Sequence, residues 1–128
     1  MAILKIVRGQ SLELVLSEIT HPVRLLLTSP DSPEPELLNA LADLRRLCPL
    51  ISLVQRTDPG LEADTLAVVG ETDRGLRFLG PPLGTELAAL VSAVVVVGRR
   101  SARLPASFRE ALGSLNRPVR LEVFTTPT

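Results

Sequence analysis

The sequence predicts an α/β domain: a four-stranded mixed sheet arranged as βαβ followed by ββα, with a leading N-terminal helix and a C-terminal helix–strand extension. Three observations carry this. Two short aliphatic runs, 23–27 and 50–54, flank a stretch with helical spacing. Two further short runs, 65–69 and 76–79, are separated by a turn-rich segment. A long apolar stretch, 85–97, then follows.

Taken in order, Leu12, Leu16 and Ile19 recur at i, i+4 and i+7, one face of a helix. Gly9 marks the break before it and Pro22 the stop. Residues 23–27 read as a buried strand running into a loop at Thr28-Ser29-Pro30. Asp31-Ser32-Pro33-Glu34 reads as a helix start. Asp or Ser caps free N–H groups, proline fits the first turn, and acids suit the positive end of the dipole. Leu37, Leu41, Leu44 and Cys48 follow at helical spacing, Arg45 and Arg46 sit at the negative end, and Pro49 closes the helix. With 50–54 as the next strand, a right-handed crossover makes the strands near Val23 and Ile51 parallel, with the first of them central. Pro59-Gly60 places 55–64 in a loop. The strands near Thr65 and Leu76, joined by Gly70-Glu71-Thr72-Asp73-Arg74-Gly75, form an antiparallel hairpin.

In residues 85–97 the local signals conflict. Val94-Val95-Val96-Val97 favours a strand. Leu87, Leu90, Val91 and Val94 fit a helical face, Glu86 suits a first turn, and Gly98 suits a C-terminal stop. Periodicity leaves both readings open. Beyond Arg99-Arg100-Ser101, Leu104, Phe108, Ala111, Leu112 and Leu115 share one helical side. Val119, Leu121 and Val123 then alternate as in a strand. An internal echo links His21-Pro22-Val23-Arg24-Leu25 to Arg117-Pro118-Val119-Arg120-Leu121, as though a second copy of the fold begins there.

Composition narrows the function. The 128 residues amount to about one domain, 45% hydrophobic and 22% charged. There is no Trp or Tyr, and only Phe78, Phe108 and Phe124 are aromatic, so the core is aliphatic and the stacking platforms of single-strand nucleic-acid binders are missing. Net charge is zero, which gives no pull toward nucleic acid or an anionic membrane. The charge is uneven: nine acids against three arginines from Asp31 to Asp73, and six arginines against two acids from Arg99 to Thr128. This reads either as two differently solvated faces or as a basic tail that docks on an acidic surface. Cys48 is the single cysteine, so no disulfide forms within the chain and a thiolate metal site is not expected. It reads as a packed core thiol, with a redox-sensing thiol as the other reading. His21 is the only histidine and reads as a surface loop residue. Gly80 and Gly84 fail the phosphate-loop pattern, and no dinucleotide-binding glycine motif occurs, so neither cofactor nor metal is expected. Lys5 and Arg8 interrupt the first apolar stretch, and the run 87–97 is too short to span a bilayer. No membrane association and a cytoplasmic location are the expectation.

The element order, together with Arg77-Phe78-Leu79-Gly80-Pro81-Pro82-Leu83-Gly84-Thr85-Glu86-Leu87, resembles the N-terminal module of the flavoprotein subunit of bacterial alkyl hydroperoxide reductase. Its relatives are the protein disulfide oxidoreductases built from two thioredoxin folds. The loop residues that carry the likeness are Phe78, Gly80, Pro82, Leu83, Gly84 and Glu86; Leu12, Leu16, Ile19-Thr20, Pro22-Val23 and Leu25 add to it. The resemblance implies a thioredoxin-like fold and a helix over the valine run. It also implies that residues 1–98 are a first, degenerate unit, and that 99–128 are a connecting helix and the first strand of a second unit. In the family the second unit carries the Cys-x-x-Cys of a thiol–disulfide oxidoreductase, and the present sequence stops where those cysteines are expected.

A thioredoxin dithiol sits at a helix N-terminus after the first strand, where N–H groups and the dipole stabilise a thiolate. Here Ser29-Pro30-Asp31-Ser32-Pro33 occupies that place, with no cysteine and with an acid opposing thiolate formation. The cis-proline position matches Ala63 or Asp64. By resemblance, Glu86 is an ancillary acid facing the dithiol of the second unit; by local rules it is a first-turn glutamate favoured by the dipole. The sequence therefore predicts a non-catalytic scaffold unit of a thiol–disulfide relay protein, its partner a second thioredoxin-like unit or a redox protein. The alternative is a stand-alone protein-interaction module on a degenerate thioredoxin fold. The unpaired strand at 119–124 can fray, join an edge of its own sheet, or form a homodimer through residues 104–128.

Overall fold

The computed structural model describes residues 11–125. The readings placed on Lys5, Arg8, Gly9 and the closing Thr126-Pro127-Thr128 lie outside them. The elements are α1 (Leu12–Leu16), β1 (Val23–Ser29), α2 (Pro35–Leu47), β2 (Ile51–Thr57), β3 (Thr65–Val69), β4 (Arg77–Leu79), α3 (Glu86–Arg99) and α4 (Ala106–Gly113). The four strands form one mixed sheet in the order β2-β1-β3-β4. β1 runs parallel to β2, with Val23 opposite Ile51, and antiparallel to β3, with Thr28 opposite Thr65. β3 pairs antiparallel with β4, Leu66 opposite Phe78. This is the expected βαβ–ββα sheet with β1 central, a thioredoxin-like arrangement.

Alternation along β1 buries Val23, Leu25, Leu27 and Ser29 on one face. The apolar members of that set join Leu66 and Val68 of β3. α2 adds Leu37, Leu41 and Leu44 to the same core, and α3 adds Leu87, Leu90, Val91 and Val94. Burying one such leucine contributes roughly 1.5–3 kcal/mol, and ten buried leucines among the described residues replace the aromatic core the composition lacks. The valine run is helical. Leu87, Leu90, Val91, Val94 and Val95 are all buried, at a spacing only a helix can aim at one core.

Several boundaries differ from the sequence expectation. β1 continues through Thr28 and Ser29, and β2 through Thr57, because the two strands pair along their whole length; Thr28 faces Arg56 and Ser29 faces Thr57. β4 starts one residue later than expected, although Leu76 still accepts a bond from the N–H of Val68. α1 ends at Leu16, and Ile19 packs from the following turn, 6% exposed. α2 does not begin at Asp31 or Ser32. It begins at Pro35, and its N-cap residue Glu34 makes no side-chain cap bond. The ring of Pro35 pushes the residue before it out of the helical region, and Glu34 sits at φ −59°, ψ 123°.

Gly98 is not a stop. It lies inside α3, and Arg100, at φ 58°, is the left-handed C-cap. The glycine is needed for close approach: a Cβ there would lie 2.6 Å from Cγ2 of Ile19. Its carbonyl accepts the backbone N–H groups of Thr20 and His21 at 3.1 and 2.9 Å. The end of α3 is thus fastened to the turn between α1 and β1. Glu18 reinforces it by bonding both Arg99 and Arg103.

The expected C-terminal helix forms as α4, but none of its residues is buried. Val119–Phe124 alternates as a strand does, yet it joins no ladder among the described residues. A strand needs a neighbour to satisfy its N–H and C=O groups, and this segment pairs with neither edge of the sheet, β2 or β4.

Candidate functional site

β1 and β3 are antiparallel neighbours, so the end of β1 and the start of β3 lie side by side. The chain leaves β1 at Ser29 and enters α2 at Pro35, while β3 opens just after Asp64. The two stretches that the sequence reading placed at the dithiol and cis-proline positions, Ser29–Ser32 and Ala63–Asp64, therefore meet. Between them is an open groove of about 330 Å³. Pro30, Pro33, Pro35 and Pro81 supply rigid apolar walls with Ala63 between them. Ser32, Glu34 and Asp64 supply the polar groups.

Asp64 ties the groove together. It is buried, 8% exposed, and its Oδ2 accepts the backbone N–H of Glu34 at 2.9 Å. This acceptor satisfies a free N–H at the start of α2 that no local side chain caps. The Asp64 carbonyl accepts the N–H of Gly80 at 2.7 Å, which carries Pro81 to the groove wall. Gly80 and Gly84 take left-handed conformations, φ 95° and 62°, which explains the glycines of the Phe78–Gly84 loop. Phe78 and Leu83 pack against the core, and Pro82 is buried.

Of the four residues that the sequence reading placed at the dithiol position, Pro30 and Ser32 line the groove and Asp31 is exposed. Ser29 is 1% exposed and its Oγ has no hydrogen-bond partner among the described residues. Glu86 does not reach the groove. It is the first residue of α3, half-buried, and its Oε1 accepts a hydrogen bond from Oγ1 of Thr125. Cys48 lies at the opposite end of α2 from the groove, as the C-cap residue, 7% exposed and part of the core. His21 is half-buried, with Nδ1 3.0 Å from Oγ1 of Thr20. Among the described residues no group of three His, Cys, Asp or Glu could hold a metal ion. None of their helices is long and apolar enough to cross a membrane.

Sequence reasoning named Ala63 and Asp64 but missed Pro35 and Pro81 as groove walls. The signal for Pro35 was present: three prolines, Pro30, Pro33 and Pro35, fall within six residues at a strand–helix junction. Pro81 had no such signal, because the β3–β4 pairing of Thr65 with Leu79 and the Asp64–Gly80 bond beyond it bring it there.

No family model and no curated protein matches the chain. Solved structures do. The chain is similar to the alkylhydroperoxide reductase protein AhpF of Enterococcus faecalis, solved as a cysteine-to-alanine mutant. Identity is 27% and the TM-score 0.68, over 81% of this chain and 57% of that one. It is also similar to the NTD_N/C domain of AhpF from the same organism, at 28% identity and TM-score 0.65, over 77% of this chain and 55% of that one. The chain thus spans little more than half the length of the structures it matches. The likeness agrees with the resemblance carried by the Phe78–Glu86 loop.

Proposed function

We propose that this chain is a non-catalytic, thioredoxin-like scaffold unit of a thiol–disulfide relay protein. The observation that carries this reading is the separation of cysteine from site. The junction where a thioredoxin fold presents its attacking thiol holds Ser29, Pro30, Asp31 and Ser32, and the only cysteine is buried at the far end of α2. A thiolate there would lack both the helix N-terminus and solvent access. The likeness to AhpF structures supports a place in redox chemistry. On this reading residues 1–98 are the scaffold unit, and 99–128 lead into a second thioredoxin-like unit or toward a redox partner in the cytoplasm. Glu86 is then the ancillary acid presented to that neighbour's dithiol, where it would hold or move a proton.

The test is a thiol-coupled insulin reduction assay on the full chain beside Cys48→Ser. The expected result is no turnover by either protein. Turnover by the unmodified chain above that of Cys48→Ser would overturn the reading.

The groove favours a second reading, a stand-alone interaction module. Four proline rings and an ordered carboxylate make a rigid surface that can bind without reacting. The two readings separate on the coding sequence after Thr128: a Cys-x-x-Cys there supports the scaffold unit, and a stop codon the interaction module.

A further inference from the structure

We propose that Glu18 and Glu71 form an ionic latch on Arg99, Arg100 and Arg103 that fixes the direction in which the chain leaves α3. This goes beyond the scaffold reading and does not depend on it.

The latch is built at the end of the sheet opposite the groove. Arg24 at the start of β1 pairs with Val69 at the end of β3, so the turn before β1 and the connection after β3 lie side by side. Glu18 stands in the first and Glu71 in the second. α3 ends at the same place. The Gly98 carbonyl holds the N–H groups of Thr20 and His21, and a Cβ on Gly70 would meet Cγ1 of Val97 at 3.0 Å. The chain therefore leaves α3 between two acids that are far apart in sequence.

Both acids are engaged. One oxygen of Glu18 takes Arg99 at 3.6 Å and the other takes Arg103, so a single carboxylate bridges the last residue of α3 and the segment beyond it. Arg99 also donates from Nε to the carbonyl of Ser101 at 2.6 Å, and Arg109 of α4 donates back to the carbonyl of Ala102 at 3.3 Å. Glu71 takes Arg100 at 3.0 Å. Arg100 is the left-handed C-cap, φ 58°, where glycine is the usual residue. Glycine would suit that backbone but lose the pair with Glu71.

An isolated exposed ion pair restrains little. Here two carboxylates hold three guanidinium groups within five consecutive residues. Among the described residues, none from Ser101 to Pro105 and none of α4 joins the core, so polar contacts rather than apolar packing set the direction. The uneven charge of the sequence gains a local meaning: three of the six arginines after Gly98 dock on acids of the same chain. Any unit placed after α4 is reached through the same latch.

The experiment is double electron–electron resonance between nitroxide labels on Ala42→Cys in α2 and Glu110→Cys in α4, both exposed, in the Cys48→Ala chain. The expected result is one narrow distance distribution at low salt. It should broaden in Glu18→Gln/Glu71→Gln, and in about 1 M NaCl, where the Debye length falls to about 3 Å. Arg100→Glu should broaden it, and Glu71→Arg/Arg100→Glu should narrow it again. In the unlabelled chain, Glu18→Gln should speed tryptic cleavage after Arg103 roughly tenfold, because cleavage follows the open population. Circular dichroism checks that the fold persists in each variant. A distribution equally wide with and without the two glutamates, a charge swap that restores nothing, or an unchanged cleavage rate overturns the proposal.

Discussion

The carboxylate of Asp64 accepts the backbone N–H of Glu34 at 2.9 Å, joining two residues thirty positions apart. α2 begins with a proline and has no side-chain cap of its own. Its N-terminus is capped from the loop before β3, and the same bond draws the two walls of the groove together.

Asp64→Ala should therefore destabilise the fold by about 1–2 kcal/mol, the usual effect of losing a helix cap. Asp64→Asn keeps an acceptor oxygen and should cost less. Urea unfolding of the three proteins gives the order; equal midpoints for all three would show that the bond carries no stability.

Ser29→Ala should leave stability unchanged or raise it by up to about 1 kcal/mol, because it removes a buried hydroxyl that has no partner among the described residues. Thermal unfolding distinguishes this from the loss expected if the hydroxyl were bonded.

Two glycines in helices should respond oppositely to alanine. At Gly98 a Cβ would meet Ile19 at 2.6 Å, so Gly98→Ala should destabilise by about 1–3 kcal/mol. At Gly113 nothing lies within 4 Å of the Cβ position, and Gly113→Ala should stabilise by about 0.5–1 kcal/mol. Denaturant midpoints moving in the same direction would refute the contrast.

The carboxyl of Asp73 should titrate near pH 2. The Arg77 guanidinium donates to both its oxygens at 2.9 and 2.6 Å, and the Gly75 N–H donates at 2.8 Å; together these lower its pKa from 3.8 to about 2. A depressed folded pKa means that the group's contribution to stability is fully present above pH 3.8 and is lost as pH falls through about 2. A carboxyl-detected NMR titration should show this midpoint, and Arg77→Ala should return it toward 3.8. An unmoved midpoint would assign the shift to another cause.

Pro-Val-Arg-Leu occurs twice in this chain, at 22–25 and 118–121. That repetition separates what the sequence determined from what the tertiary structure decided. Local chemistry gave both segments the same strand-like alternation, and periodicity set the βαβ–ββα order, the core leucines of α2 and the antiparallel hairpin. It could not decide burial. Val23 and Leu25 are fully buried because β1 has β2 on one side and β3 on the other, whereas Val119 and Leu121, outside the sheet, stand 59% and 87% exposed among the described residues. Likewise the valines of α3 carried opposing signals, and the packing of Leu90, Val91 and Val94 against the sheet made them a helix. Gly98 looked like a stop until Ile19 required its missing side chain. The groove was half legible: its prolines cluster at a strand–helix junction, but Asp64 and Pro81 reach it through the pairing of β3 with β1 and β4 and through the bonds of Asp64 to Glu34 and Gly80. Spacing along a chain reports the shape of one element. Which elements become neighbours depends on burial and hydrogen bonds between residues far apart in sequence, and these exist only once the sheet has formed.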